Sequence, residues 1–313
     1  MPVLPAETLE FLAPGQNWRG VFIDATLGLG GHSEAILESL QSNEEAQVIG
    51  IDQDTAAIAY AEKRLERFGE RFSAFHSNFS DIKEIWERSG AERPCGILAD
   101  LGVSSLQFDS AERGFSFRYD APLDMRMDTG SDDETAAELL QTLSEEEIAN
   151  VIYQYGEERF SRRIARRIVE RREKGEPVQT TKELADLVYG AVKKSKRDQI
   201  HPATRTFQAL RIAVNRELEI LAGFIGDAVD ILETNGRLVI ISFHSLEDRI
   251  VKQTFQKLAG KCSCPPRLPQ CVCGAEKRIE IITKRPIVPT EREMNENPRS
   301  RSAKMRVCQK LKQ

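Results

Sequence analysis

Short apolar runs recur along the chain, and three of the first four end on an aspartate. Val21-Phe22-Ile23 ends at Asp24, Val48-Ile49-Gly50-Ile51 at Asp52, and Gly96-Ile97-Leu98-Ala99 at Asp100. Phe72 to Phe75 alternates weakly and reads as a further strand. Between these runs the spacing turns helical, at Ala35, Ile36, Leu37 and Leu40 and again from Ala56 to Leu65. Much later, Arg237-Leu238-Val239-Ile240-Ile241 runs into Ser242-Phe243-His244. Continuous apolar strands separated by amphipathic helices predict a parallel sheet covered on both faces. The last two runs, at 279–282 and 305–307, have no helix-length apolar pattern between them and predict a closing antiparallel pair.

More than 130 residues separate Asp100 from the strand at Leu238, far more than one crossover helix needs. Helical patterns fill this stretch at 135–143, 145–153, 162–172 and 182–192, with no convincing strand. The expected organisation is an α/β sheet domain from residues 1–104 and 206–313, with an inserted helical domain at 105–205. A helix over about 206–221 should lead the chain back to the sheet.

The chain has 313 residues, and its 40% hydrophobic content is ordinary for a globular protein. The net charge of −5 conceals an asymmetry. Residues 151–216 carry 16 basic against 8 acidic residues, and residues 252–313 carry 15 against 5. The remainder is acidic, a pattern that suits a polyanionic partner touching part of the surface. No run approaches the ~20 apolar residues that cross a bilayer. The opening Met1-Pro2-Val3-Leu4-Pro5 lacks the basic and apolar regions of a signal peptide. Six cysteines do not make a disulfide scaffold, so a reducing compartment, the cytoplasm, is expected.

Candidate chemistry gathers at the strand ends. Asp24-Ala-Thr-Leu-Gly28-Leu-Gly30-Gly31-His32-Ser33 is a glycine turn between a strand and a helix, able to bring backbone N–H groups close to a ligand. Its spacing is G-x-G-G, with Ser33 where the dinucleotide fingerprint has a third glycine. Asp52 ends the next strand, where a carboxylate can accept both hydroxyls of a ribose. Phe79, just past the third strand, can lie against an adenine. Asp100 sits at the carboxyl end of the fourth strand, the ligand side of an open α/β sheet. This chain order suggests a methyltransferase more than a nicotinamide-dependent oxidoreductase. A non-catalytic RNA-binding assembly factor remains the other alternative.

Other motifs point towards RNA. From Arg113 to Asp128 aromatics alternate with arginines, and Phe115 or Phe117 could stack a base. In the run from Ser161 to Arg172, Ile164, Ala165, Ile168 and Val169 share one helical face, and Arg162, Arg163, Arg166, Arg167 and Arg171 the other. His244 could orient substrate or cap the helix that follows. Cys262, Cys264, Cys271 and Cys273 are weak zinc candidates, because C-x-C is tighter than the usual ligand spacing.

Several of these stretches together resemble one family. They are Asp24 to Ser33, Gly50-Ile-Asp-Gln-Asp54, Asp100-Leu-Gly-Val-Ser-Ser105, Arg113-Gly-Phe-Ser-Phe117, Pro122-Leu-Asp-Met-Arg-Met-Asp128, Thr204 to Ile212, Phe243-His-Ser-Leu-Glu-Asp-Arg249 and Asn297-Pro-Arg-Ser-Arg-Ser302. The chain is similar to the MraW-type (RsmH-like) small-subunit ribosomal RNA cytosine-N4 methyltransferases. The likeness runs nearly end to end, though the family's usual His before Pro2-Val3-Leu4 is missing. It implies a Rossmann-like S-adenosylmethionine-dependent sheet, with S-adenosyl-L-methionine held by Gly30, Gly31, His32, Asp52, Phe79, Asp100 and Gln107. It further implies methyl transfer to N4 of a cytosine in the decoding region of 16S RNA, with small-subunit RNA or the assembling 30S particle as partner. Asp100 is the candidate acceptor for the amine, and Arg113, Phe115, Phe117, Asp124, Arg126 and His244 are the candidate substrate residues. Oligomeric state is left open, a homodimer among the options. The Cys cluster occurs in only part of the family and is not essential to the chemistry.

Overall fold

A computed structural model describes residues 2–13, 20–39, 46–192, 201–262, 264 and 275–312. Its sheet comprises β1 (Val21–Asp24), β2 (Gln47–Asp52), β3 (Phe72–His76), β4 (Pro94–Asp100), β5 (Arg237–Ser242), β6 (Ile279–Ile281) and β7 (Lys304–Lys310). Their spatial order is β3-β2-β1-β4-β5-β7-β6. The first five strands pair in parallel, and β7 runs antiparallel between β5 and β6. The expected class, a mostly parallel sheet closed by an antiparallel C-terminal pair, is the one found.

Residue contacts divide the chain into two compact units, residues 1–102 with 218–313, and residues 103–217. In the first, alternate strand residues face opposite layers. Ile23, Ile49 and Ile97 pack with Ile82 and Ile85 of α4 (Ile82–Ser89) and with Phe224, Ile225 and Val229 of α11 (Glu217–Ile231). Phe22, Val48 and Leu98 face the other way, onto α1 (Pro5–Leu12), α2 (Gly31–Ser39) and α3 (Thr55–Leu65). α12 (Ser245–Leu258) and α13 (Glu291–Glu296) complete this unit. The end of α11 is held by cations: Lys310 Nζ donates to the carbonyls of Asp230 and Leu232, and Arg93 to those of Asp230 and Ile231.

The second unit is helical: α5 (Ser105–Asp109), α6 (Ala136–Thr142), α7 (Glu145–Gly156), α8 (Ser161–Glu173), α9 (Thr181–Ala191) and α10 (Ala203–Val214). Side-chain caps from Thr135, Ser144 and Thr180 start α6, α7 and α9, each answered by a glutamate three residues on. Their apolar faces meet around Leu140, Ile148, Ile164, Leu184 and Phe207.

The return of the chain differs from expectation. In place of one helix over about 206–221, α10 ends at Val214, and Arg216 is left-handed at φ 50° before α11 begins. Asn215 accounts for the break. Its Nδ2 donates to the carbonyls of Met125 and Arg211, and its Oδ1 accepts from Met127 N–H, each at 2.8 Å. Ala203, Phe207 and Leu210 are buried in the helical core. Residues 206–217, expected with the sheet, therefore pack in the helical unit. No described helix is long and apolar enough to cross a membrane.

Candidate functional site

Ligands of open α/β sheets sit beyond the carboxyl ends of the strands, where the strand order reverses. Here that point lies between β1 and β4, which pair in parallel with a register shift after Val21. The chain leaves β1 in a tight turn. Leu27 N–H donates to Ile51 O and Gly30 N–H to Leu27 O, both at 2.8 Å, and α2 begins at Gly31. Gly30 has φ +74°, and a Cβ there would lie 3.2 Å from Ala61 Cβ and Leu65 Cδ1. Conformation and space both call for glycine. The turn is tied to β2 by Asp52, whose carboxylate accepts from Gly28 N–H at 2.7 Å and Asp54 N–H at 2.9 Å. Burial nevertheless pushes Asp52 up to about 6.

Asp24, His32 and Asp100 lie around this turn. Asp24 is 1% exposed and accepts from Ser33 Oγ at 2.7 Å. Burial raises its pKa, and the nearby His32 offsets part of that. Asp100 is tied to the turn through its backbone, its N–H donating to Thr26 Oγ1 at 2.6 Å. His32 Nε2 and Asp100 Oδ2 stand 3.5 Å apart. Both His32 Nε2 and Asp100 Oδ1 are buried without a hydrogen-bond partner. Leaving a buried polar atom unsatisfied costs about 1–3 kcal/mol, and two such atoms stand together here. The sequence reading gave no role to Asp24, although it is a strand-end acid like the other two.

Phe79 is half-buried and meets Phe224 edge-on, ring centres 4.9 Å apart. Beside it, Asn78 Nδ2 donates to Gln53 Oε1 at 2.9 Å, linking the ends of β3 and β2.

The helical unit treats its candidates differently. Gln107 completes a capping box, its Oε1 accepting from Ser104 N–H at 2.9 Å. Phe115, expected to stack a base, is buried in the helical core with Leu123 and Met125, so its faces are not available. Phe117 is half-buried, lying against His201 and Phe207. Arg126 grips Asp124 with Nε and Nη2 at 2.8 and 2.9 Å, and its Nη1 reaches Ser131 O at 2.9 Å. Burial opposes ionisation of Asp124, but Arg126 outweighs it and holds the carboxyl below its usual range. Arg113 Nη2 donates to the carbonyls of Arg126 and Met127. Arg113, Asp124 and Arg126 thus shape the loop that carries them. His244, in the sheet unit, caps α12, its Nδ1 accepting from Glu247 N–H at 3.4 Å, while its Nε2, 3.1 Å from Glu247 Oε1, is buried without a hydrogen bond.

The arginine face of α8 is divided as well. Arg172 caps α6 through the carbonyls of Leu140, Gln141 and Leu143, and Arg171 pairs with Glu183 at 2.7 Å. Arg162, Arg163 and Arg166 are exposed. Of the cysteine cluster, Cys262 is exposed and Cys264 half-buried, while Cys271 and Cys273 lie outside the described residues.

Comparison with known proteins gives one answer along the whole chain. The model of the MraW methylase family matches residues 1–311. A ribosomal RNA small subunit methyltransferase H of Geobacter sulfurreducens is 50% identical over 311 residues, covering 99% of this chain and 98% of that protein. The protein of the same name from Fusobacterium nucleatum is 48% identical over 311 residues, covering 99% and 96%. Neither the oxidoreductase reading nor the non-catalytic one gains support from these matches.

Proposed function

The chain belongs to the MraW methylase family, and on that premise we propose that it transfers a methyl group from S-adenosyl-L-methionine to N4 of a cytosine in the decoding region of small-subunit ribosomal RNA. Its relatives bear the name of small-subunit ribosomal RNA methyltransferases over nearly their full length. The observation that carries the chemistry is the unsatisfied pair, His32 Nε2 and Asp100 Oδ1, at the strand edge.

The donor set fits the cofactor. Asp52 offers a carboxylate to a ribose, the turn at Gly30 and Gly31 admits a close approach, and Phe79 presents an aromatic ring to an adenine. His32, Asp100 and Gln107 would complete the set. When bound, the cofactor supplies a methyl group already activated by its sulfonium. The protein's remaining task is alignment and help for a poor nucleophile. The N4 lone pair of cytosine is delocalised into the ring, and an acceptor for an N4 hydrogen draws the amine towards sp³ geometry. Asp100 is the proposed acceptor, acting on the developing positive charge. The exposed arginines of α8, Arg162, Arg163 and Arg166, would hold RNA phosphates. The substrate is small-subunit RNA, free or in the assembling 30S particle.

The test is transfer of labelled methyl to naked small-subunit RNA, partial particles and mature subunits side by side, followed by nucleoside analysis. N4-methylcytidine in at least one substrate is expected. Label on another base, or on none with the cofactor bound, would overturn the reading.

A further inference from the structure

In the helical unit, an aromatic column runs from the core to the surface. Phe207, 4% exposed, meets Phe117 edge-on with ring centres 5.0 Å apart. Phe117 lies against His201 at 4.7 Å, and His201 stacks on Tyr189 at 6.0 Å with the planes 23° apart. Tyr189, at the outer end, is 53% exposed. The column is anchored, because His201 Nδ1 accepts from Ala203 N–H at 3.2 Å at the start of α10.

Next to Tyr189 stands a glycine within α9, where alanine would favour the helix. A Cβ on Gly190 would lie 2.9 Å from Arg167 Nη1. The bare backbone thus makes room for a guanidinium against α9, one residue beyond the tyrosine. Arg167 makes no hydrogen bond or ion pair among the described residues. Arg163, one turn earlier on α8, is exposed on the same side of that helix.

An exposed ring held by a stack, on a helix that a guanidinium of α8 packs against, is chemistry that suits an unpaired base and its flanking phosphates. We propose that Tyr189, with Arg163 and Arg167, forms a ledge for one single-stranded nucleotide of the RNA substrate. The base lies on Tyr189 and the phosphates on the two arginines. This ledge differs from the stacking position first expected at Phe115 or Phe117: Phe115 is buried in the helical core and Phe117 packs against it. It rests on the reading of the chain as a ribosomal RNA methyltransferase.

The test measures binding of the full chain to short single-stranded and duplex RNA by fluorescence anisotropy over a salt series. Methyl transfer to small-subunit RNA is followed in parallel. Tyr189→Ala should weaken single-strand binding roughly ten-fold and leave duplex binding unchanged, while Tyr189→Phe binds like the parent. Arg167→Gln should lower the single-strand salt slope by about 0.7. Gly190→Ala, which displaces the guanidinium while favouring the helix, should weaken single-strand binding with no fall in melting temperature. Single-strand affinity unchanged in both Tyr189→Ala and Gly190→Ala overturns the ledge. So does an equal loss on duplex, or a Tyr189→Ala defect confined to binding a ribosomal protein. A parent chain that binds RNA through the ledge yet transfers no methyl group would instead count against the enzymatic reading, so the two failures are distinguishable.

Discussion

At the edge of the sheet, His32 Nε2 and Asp100 Oδ1 are buried without partners. In the loop at 113–128, by contrast, Arg126 spends its donors on Asp124 and a backbone carbonyl, and Phe115 is buried in the helical core. Both regions are rich in residues that serve catalysis or recognition. In the loop, Arg126 and Asp124 meet each other's charge directly. At the strand edge, His32 Nε2 and Asp100 Oδ1 find no hydrogen-bond partner among the described residues. Residue type alone therefore separates the two poorly; what differs is that Asp124 and Arg126 hydrogen-bond each other, while His32 Nε2 and Asp100 Oδ1 make no hydrogen bond.

The largest effect that would sharpen this contrast is at Asp100. Asp100→Asn removes the proposed acceptor's charge and should lower turnover by about 100-fold or more. Single-turnover methyl transfer reads this, and full turnover with unchanged cofactor affinity would remove Asp100 from the chemistry.

Next comes Asp52. Asparagine there would turn one acceptor into a donor facing Gly28 or Asp54 N–H. Cofactor affinity should drop by about 10-fold or more, the loss of a charged hydrogen bond. The pH dependence has a definite sign. Burial raises Asp52 to about 6 from an ordinary 3.8, so above pH 6 its ionisation works against the unliganded fold. That penalty fades as pH falls from about 6 to 3.8. Cofactor binding, which needs the carboxylate, should weaken as pH falls through about 6. Calorimetric titration of the parent and Asp52→Asn across this range checks it: a parent profile flat through pH 6 would refute the coupling.

The loop should respond in the opposite manner. Asp124→Ala frees Arg126 and should cost about 1–2 kcal/mol of stability, with cofactor affinity unchanged. Because the Asp124 carboxyl is held below its usual range, this contribution is present at neutral pH and is lost only as pH falls through that lowered value. Denaturant unfolding measures it, and a specific loss of RNA affinity at unchanged stability would return Asp124 to the substrate site. The smallest effect is at Phe115. Phe115→Leu should cost about 1 kcal/mol by loosening the helical core, with no selective change in RNA binding.

The sheet was legible because its signals are local. Runs such as Val21-Phe22-Ile23-Asp24 state both the strand and the edge at which it ends, and Gly30 marks its turn through a left-handed φ. What escaped was non-local. Asn215 breaks a helical pattern through bonds to Met125 and Met127, some 90 residues earlier, and no window around 215 contains that information. The unit boundary at 217 follows from the same contacts. Phe115 was misjudged because an aromatic beside arginines looks the same whether it stacks a base or fills a core. On α8, Arg162 and Arg172 sit in similar local sequence, yet only Arg172 finds the carbonyls at the end of α6.

The most direct measurement is nitrogen NMR of the imidazole rings during titration with S-adenosyl-L-methionine. The chain has only four histidines, so His32 can be resolved and assigned. Saturation should shift the His32 Nε2 resonance as that atom gains a polar neighbour, while His201 of the helical unit stays in place. A saturated protein in which His32 Nε2 does not move would contradict the assignment of this strand edge to the cofactor.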